Sequence, residues 1–166
     1  LHLAMLTCPV GMNLTITKTN VHEAPILLKI QQEAFEEDLK KYQDHDTNPA
    51  NEPIERLVSK IGRFLYYTIW YGDEIIGGID IRDLKDNRYR LNRIFLAKAH
   101  QNKGLGSRIM QLIENEFPSA IEWHLDTPHL NTRNHHFYEK LGYEKIGEHQ
   151  VSEKLILFDY VKKMND

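Results

Sequence analysis

A strand-like run, Tyr89 to Leu96, passes through the short basic loop Ala97-Lys98-Ala99-His100-Gln101-Asn102-Lys103 and enters a helix at Gly104-Leu105-Gly106. This junction constrains the fold more than any other segment, because it demands a strand feeding directly into a glycine-started helix. The helix extends to Phe117: Leu105, Ile109, Leu112, Ile113 and Phe117 recur at helical spacing, and Pro118 stops it. The first turn of a helix carries unpaired N–H groups and the positive end of the dipole, and glycine there lets a ligand approach the backbone closely. A pyrophosphate suits such a turn, with Lys103 and Arg108 adding charge and Ser107 a hydroxyl. Taken alone, the same two glycines would equally serve a tight helix entry. Two other phosphate motifs are excluded. A Walker loop requires Gly-Lys-Ser/Thr where Gly106 is followed by Ser107-Arg108, and a dinucleotide fingerprint requires a third glycine where Ile109 stands.

The rest of the chain supplies the elements around this junction. Residues 13 to 18 alternate as a first strand, and Asn20 can cap a helix over Val21 to Tyr42 with Leu27, Ile30 and Ala34 on its buried stripe. Gln43 to Pro53 has a loop composition and leads to a short helix through Ile61. Runs rich in β-branched and aromatic residues, Phe64 to Tyr71, Ile75 to Ile81 and Tyr89 to Leu96, predict an antiparallel meander with a Gly72-Asp73 turn. Ile121, Trp123 and Leu125 alternate with Glu122, His124 and Asp126, which predicts a strand packed on one face only. A helix from Asn131 to Leu141 with Gly142 past its end, then strands near Tyr143 to Val151 and Lys154 to Val161, complete the order β-α-α-β-β-β-α-β-α-β-β. That order predicts an α/β (α+β) domain with a mixed, mostly antiparallel sheet of six to seven strands and about four helices, rather than a doubly wound parallel one. The domain is expected to span residues 12 to 166, with residues 1 to 11 as an extension outside the fold.

The last helix carries the second motif, Asn131-Thr132-Arg133-Asn134-His135-His136-Phe137-Tyr138-Glu139-Lys140-Leu141-Gly142-Tyr143. At 100° per residue Asn131, His135 and Tyr138 fall within about 60° of one another, while Phe137 and Leu141 lie on an apolar face. By itself this helix also fits a plain structural reading, with Tyr138 anchoring the core and Asn131 as an N-cap. Together, the strand, Gln-x-x-Gly-x-Gly, helix, strand and Asn-x-x-x-x-x-Phe-Tyr-x-Lys-x-Gly-Tyr resemble the GNAT superfamily of N-acetyltransferases. The resemblance implies transfer of an acetyl group from acetyl-CoA to a primary amine in a ternary complex. It further implies that Ile94, Phe95 and Leu96 pair through their backbone with the pantetheine arm. Gln101, Asn102, Lys103, Gly104, Leu105, Gly106 and Ser107 would hold the pyrophosphate, Asn131 and Asn134 would bind the cofactor in a splayed cleft, and Tyr138 would lie near the thioester sulfur.

The transfer needs a neutral amine, stabilisation of developing oxygen charge and a proton for the departing thiolate. A tyrosine with an ordinary pKa of about 10 stays protonated at neutral pH, so Tyr138 suits the acid role. The base is less determined. Many relatives carry a glutamate where this chain has Arg90 and Asn92, and some that acetylate protein N-termini place a carboxylate near the position of Asp126. Asp126 is therefore the leading base; Asp80 and a water relay are alternatives, and a turn-capping Asp before Thr127-Pro128 is the plain structural reading. Glu33, Glu36, Glu37, Asp38, Asp44 and Asp46 crowd the first helix and its following loop, which favours a cationic acceptor or else simply forms a solvated face. The rival function is a CoA-binding sensory or regulatory protein without turnover.

Composition narrows the partners. The 166 residues suffice for one domain, with 41% hydrophobic and 27% charged residues as in ordinary globular chains. A net charge of −3 and scattered Lys and Arg argue against nucleic-acid binding, and no apolar run reaches the ~20 residues that span a bilayer. Cys8 alone allows no intrachain disulfide, and the apolar start is too short and lacks the basic residues of a signal peptide, so a cytoplasmic monomer or homodimer is expected. No metal is expected: His124, His129, His135 and His136 cluster in sequence but lack metal-site spacing.

Overall fold

The computed structural model describes residues 13–164, so the extension at residues 1 to 11, Cys8 and the domain start at Met12 lie outside the described residues. Seven strands form one sheet in the order β1-β2-β3-β4-β5-β7-β6: β1 Leu14–Lys18, β2 Leu65–Tyr71, β3 Glu74–Lys85, β4 Arg88–Leu96, β5 Glu122–Pro128, β6 Glu144–Gln150 and β7 Ile156–Lys163. Four α-helices flank it: α1 Ala24–Tyr42, α2 Ile54–Arg63, α3 Leu105–Glu116 and α4 Thr132–Lys140. All neighbouring strands run antiparallel except β4 and β5. The mixed, mostly antiparallel α/β architecture expected from the order of elements is the one present.

Local chemistry accounts for the element ends. Asn20 Oδ1 accepts from the His22 N–H at 2.9 Å while Glu23 Oε1 accepts from the Asn20 N–H at 3.1 Å, and this reciprocal cap opens the turn that leads into α1. Gln43, with φ of 53°, ends α1 in the left-handed region. The core lies on both faces of the sheet. Leu105, Ile109, Met110 and Ile113 of α3 and Tyr138 of α4 pack with Ile79, Leu91, Trp123, Leu125 and Tyr160 on one face. On the other, Ala24 and Leu27 of α1 and Leu57 and Ile61 of α2 enclose Tyr66 and Phe95. Each fully buried Leu or Ile contributes roughly 1.5–3 kcal/mol by leaving water.

Three expectations need correction. β3 continues four residues past Ile81, because Arg82 to Lys85 pair with β4 across a tight turn in which Lys85, Asp86 and Asn87 all take positive φ; charged residues on a half-exposed hairpin read as loop. Ile121 lies outside the packed face at 50% exposure, and β5 instead runs on through Thr127 and Pro128. Asp126 is consequently not a turn cap: it sits mid-strand, opposite Asp159 of β7.

One irregularity shapes the site. β3 pairs Asp80 with Arg93 and then Ile81 with Leu91, so Asn92 is an extra residue in β4. Such a bulge bends its strand and switches which face the following side chains occupy. The parallel ladder between β4 and β5 holds only Arg88 to Arg90 against Glu122 to His124. From Leu91 through the bulge to Leu96, β4 has no partner in β5, and the two central strands part.

Candidate active site

The parting strands leave a cavity of about 250 Å³. Its floor includes Leu91, Asn92, Arg93 and Ile94 of β4 and Leu125, Asp126 and Thr127 of β5, with Asn134 and Tyr138 reaching in from α4. The far wall is built by Phe35, Asp38 and Tyr42 of α1 and by Asp44, Thr47, Asn48 and Pro49 beyond it. Strand alternation puts Asp126 on the face opposite its neighbour Leu125, which is packed with Tyr138. Only because the sheet opens between β4 and β5 do Asp126 and Tyr138, which approach from opposite faces, line the same space.

Tyr138 is 8% exposed. Its ring packs against Tyr143, Phe137 and Tyr160 at centroid distances of 5.7, 5.2 and 6.5 Å. Among the described residues no group hydrogen-bonds its hydroxyl. Burial, with the charge of Asp126 added, pushes its pKa up to about 12. Asp126 is paired with the Arg90 guanidinium. Burial nevertheless raises its carboxyl above the usual range; Arg90 and His149 oppose that shift and Asp159 adds to it. Asp80 is differently placed: it is fully buried, holds Arg82 through two contacts of 3.0 and 2.8 Å, and accepts from Asn92 Nδ2 at 3.0 Å.

The glycine turn lies beyond the free end of β4. Asn102 and Gly104 take positive φ of 63° and 76°, and no side chain caps the start of α3, so its first N–H groups stay available to an anion. Lys103, Ser107 and Arg108 are exposed around them. Gln101 has an anchoring role here, donating from Nε2 to the Leu96 carbonyl at 2.8 Å and tying the turn to β4. A Cβ on Gly106 would meet the Phe137 ring at 3.0 Å, so this glycine is also where α3 and α4 touch. Gly106→Val is therefore expected to cost about 1–3 kcal/mol by overpacking, measured by chemical unfolding without any ligand. Wild-type stability in that variant would mean that the contact is slack.

The two asparagines of α4 divide their work. Asn131 caps the helix by accepting from the Asn134 N–H at 3.0 Å, and Asn134 donates to Thr127 Oγ1 at 3.2 Å on the cavity side. Ile94 and Leu96 turn their side chains toward the α3/α4 core and Phe95 toward α1, which leaves the backbone of these three residues as the unpaired edge of β4. These placements, a left-handed turn, an uncapped helix start and a free strand edge in line, fit a phosphate-bearing ligand with an extended arm.

Of the clustered histidines, His124 meets Glu122, His129 meets the Ile156 carbonyl, and His135 meets the Pro128 carbonyl and stacks on Phe158. Another trio comes together in space instead: Asp126, His149 and Asp159, whose donor atoms all lie within 4.8 Å of one another. Tyr42, Arg93, Thr127, His149 and Asp159 were not singled out from the sequence. Thr127 continues the buried alternation after Leu125, a usable signal, but His149 and Asp159 arrive through strand order and carry none.

The sequence profile of the acetyltransferase (GNAT) family matches residues 25–143, and the chain belongs to that family. No curated protein matches the sequence. Among solved structures, the PaiA N-acetyltransferase from Thermoplasma acidophilum, in complex with coenzyme A, is 19% identical, with a TM-score of 0.70 over 91% of this chain and 99% of that one. The ribosomal-protein-S18-alanine N-acetyltransferase from Escherichia coli is 15% identical, with a TM-score of 0.73 over 90% and 93%. YncA of Salmonella typhimurium, solved with its cofactor acetyl-CoA, is 12% identical, with a TM-score of 0.69 over 93% and 95%. At such identities the structures share the fold. No helix among the described residues is long and apolar enough to cross a membrane.

Proposed function

We propose that this chain transfers an acetyl group from acetyl-CoA directly to a cationic primary amine, with Tyr138 as proton donor to the departing thiolate and Asp126 as the base. The observation that carries the reading is the meeting of Tyr138 and Asp126 in one cavity where β4 and β5 part. Acetyl-CoA supplies the activated acyl group as a thioester. Asp126 takes a proton from the entering ammonium, and the raised proton affinity of its half-buried carboxyl suits that task. A backbone N–H on the free edge near Phe95 or Leu96 stabilises the oxygen charge that develops, and Tyr138 returns a proton to sulfur. Asp80 is a poor base because it is fully buried and, unlike Asp126, does not line the cavity, its carboxylate being held by Arg82 and Asn92.

The cavity's charge supports a cationic acceptor. Asp38, Asp44 and Asp126 line it; Asp126 is paired with Arg90, and Arg93, the basic residue of the lining, with Glu52 at 3.3 Å, so Asp38 and Asp44 are the acids left to a guest. Burial holds the Asp38 carboxyl above its usual range, with Lys41 only partly opposing, so a positive guest would find an unmet demand there. Glu33 and Glu36 sit apart, around a different hollow with Gln32 and Leu39.

Acetyl-CoA at a hundredfold excess over its Kd is expected to stabilise the protein by about 2.7 kcal/mol, a rise in Tm of roughly 5–10 °C. A panel of spermidine, an alanyl peptide, an aminoglycoside and free amino acids, read by thiol release, should give turnover with a cationic primary amine. Stabilisation by CoA with no thiol release from any amine would replace this reading with a CoA-binding sensor.

A further inference from the structure

We propose that Asp159 and His149 form the proton exit of the reaction, carrying the proton that Asp126 takes from the acceptor out to solvent on the open face of β6. The inference rests on the reading of Asp126 as base. Transfer from a thioester to an ammonium makes a C–N bond and breaks a C–S bond; of the two protons nitrogen loses, one ends on the thiol sulfur by way of Tyr138 and one must leave the protein. While the acceptor fills the cavity, the side of Asp126 that faces it is closed to water, so the proton needs a path on the other side.

The strands supply that path. Asp159 of β7 is the register partner of Asp126 on β5, and on its far side it is the partner of Gly147 of β6. Ile146 is an extra residue in β6 at this point, bulged out and 61% exposed, and the glycine that follows puts no side chain over the carboxylate of Asp159. His149, two residues further along, places Nδ1 3.1 Å from Asp159 Oδ2, and its side chain is 48% exposed. The proton-carrying atoms of all three groups lie within 4.8 Å of one another, a separation that one water bridges. The chain of groups therefore runs from a carboxylate in the cavity to an imidazole in solvent. Histidine is the side chain that both accepts and releases protons near neutral pH.

The surrounding charges fit conduction better than a cation site. Arg90 from β4 holds Asp126 on the side away from Asp159, which would repel a metal ion. Tyr138 approaches Asp126 from α4 and Asp38 and Asp44 face the cavity from α1 and its loop. Next to His149, Glu148 is taken by Lys145 at 3.0 Å, while His124 and Glu122, further up β5, bond each other at 2.9 Å. None of these blocks the route from Asp159 to His149.

The test uses His149→Ala, an exposed edge-strand change, with spermidine as acceptor, or the alanyl peptide if the panel favours it. In dilute buffer kcat should fall about tenfold, less than the ~100-fold of a direct acid or base, with KM for acetyl-CoA unchanged, and free imidazole should restore it. An undiminished kcat across pH 6 to 9, or a fall that imidazole does not repair, overturns the proposal. Asp126→Asn run alongside separates the two readings: wild-type turnover in that variant sinks the base itself, whereas its inactivity beside a fully active His149→Ala sinks only the exit. Stoichiometric Zn²⁺ binding that His149→Ala abolishes would make the trio a metal site and likewise overturn it.

Discussion

Tyr138→Phe is expected to lower kcat by about a hundredfold or more while changing the affinity for CoA by less than about twofold. The substitution removes one oxygen and nothing else. The ring keeps its contacts with Phe137, Tyr143 and Tyr160, and among the described residues no hydrogen bond is lost, because none is made by the hydroxyl. A hydroxyl that lines the cavity and makes no bond within the protein contributes little to folding, so the variant should melt within a degree or two of wild type. Its missing proton, by contrast, has no replacement in the cavity: the other tyrosine there, Tyr42, belongs to the opposite wall. Since burial and Asp126 hold the Tyr138 pKa up near 12, the acid stays protonated through the neutral range and should leave no inflection there in a pH–rate profile. Steady-state thiol release and a CoA melting shift measure the two quantities separately. A variant with near-normal kcat would remove Tyr138 from the chemistry and leave it as a core aromatic.

The contrast between what was legible in the sequence and what was not follows the range of the interactions. Local signals served well: the capping residues Asn20 and Asn131, the glycines at Gly104 and Gly142, and the alternation of Trp123 and Leu125 all mark elements close to where they form. The glycine turn and the Asn131 to Tyr143 helix could be paired because each is a short contiguous motif. Three things escaped. The bulge at Asn92, which opens the sheet, is a register fact between two strands and leaves no residue-type signature, since asparagine suits many positions. The extension of β3 to Lys85 was masked by charged residues that a hairpin tolerates on its exposed side. Finally, β7 inserts between β5 and β6, and only this non-sequential order brings Asp159 and His149 to Asp126. The first-helix acids illustrate the same limit, for Asp38 faces the cavity while Glu33 and Glu36 do not, although all three share one helix.

Asp126→Asn should reduce turnover about a hundredfold or more yet leave the melting temperature at neutral pH unchanged or higher. The sign follows from the shift in its pKa. Burial is the largest influence and raises the carboxyl above the usual range; Asp159 adds to this, while Arg90 and His149 offset part of it. The folded state thus holds the proton more tightly than the unfolded chain. Between the unfolded and folded pKa the unfolded chain binds fewer protons, so stability falls as pH rises through that window, and above it the ionised side chain is a net cost to the fold. Asparagine removes that charge while keeping the shape and an oxygen for the Arg90 guanidinium. The same protonation has the opposite consequence for catalysis, because only the ionised carboxylate can take the ammonium proton; kcat/KM of the wild type should therefore rise with pH through the folded pKa of Asp126. Asp126→Glu, which retains a carboxylate but displaces it, should keep a rising limb at reduced rate. Thermal melting of apo protein alongside the pH–rate profile tests both halves. If Asp126→Asn lost activity together with a large drop in Tm, the residue would be holding β5 to Arg90 rather than serving the reaction, and the base would have to be sought in a water bound at the free edge of β4.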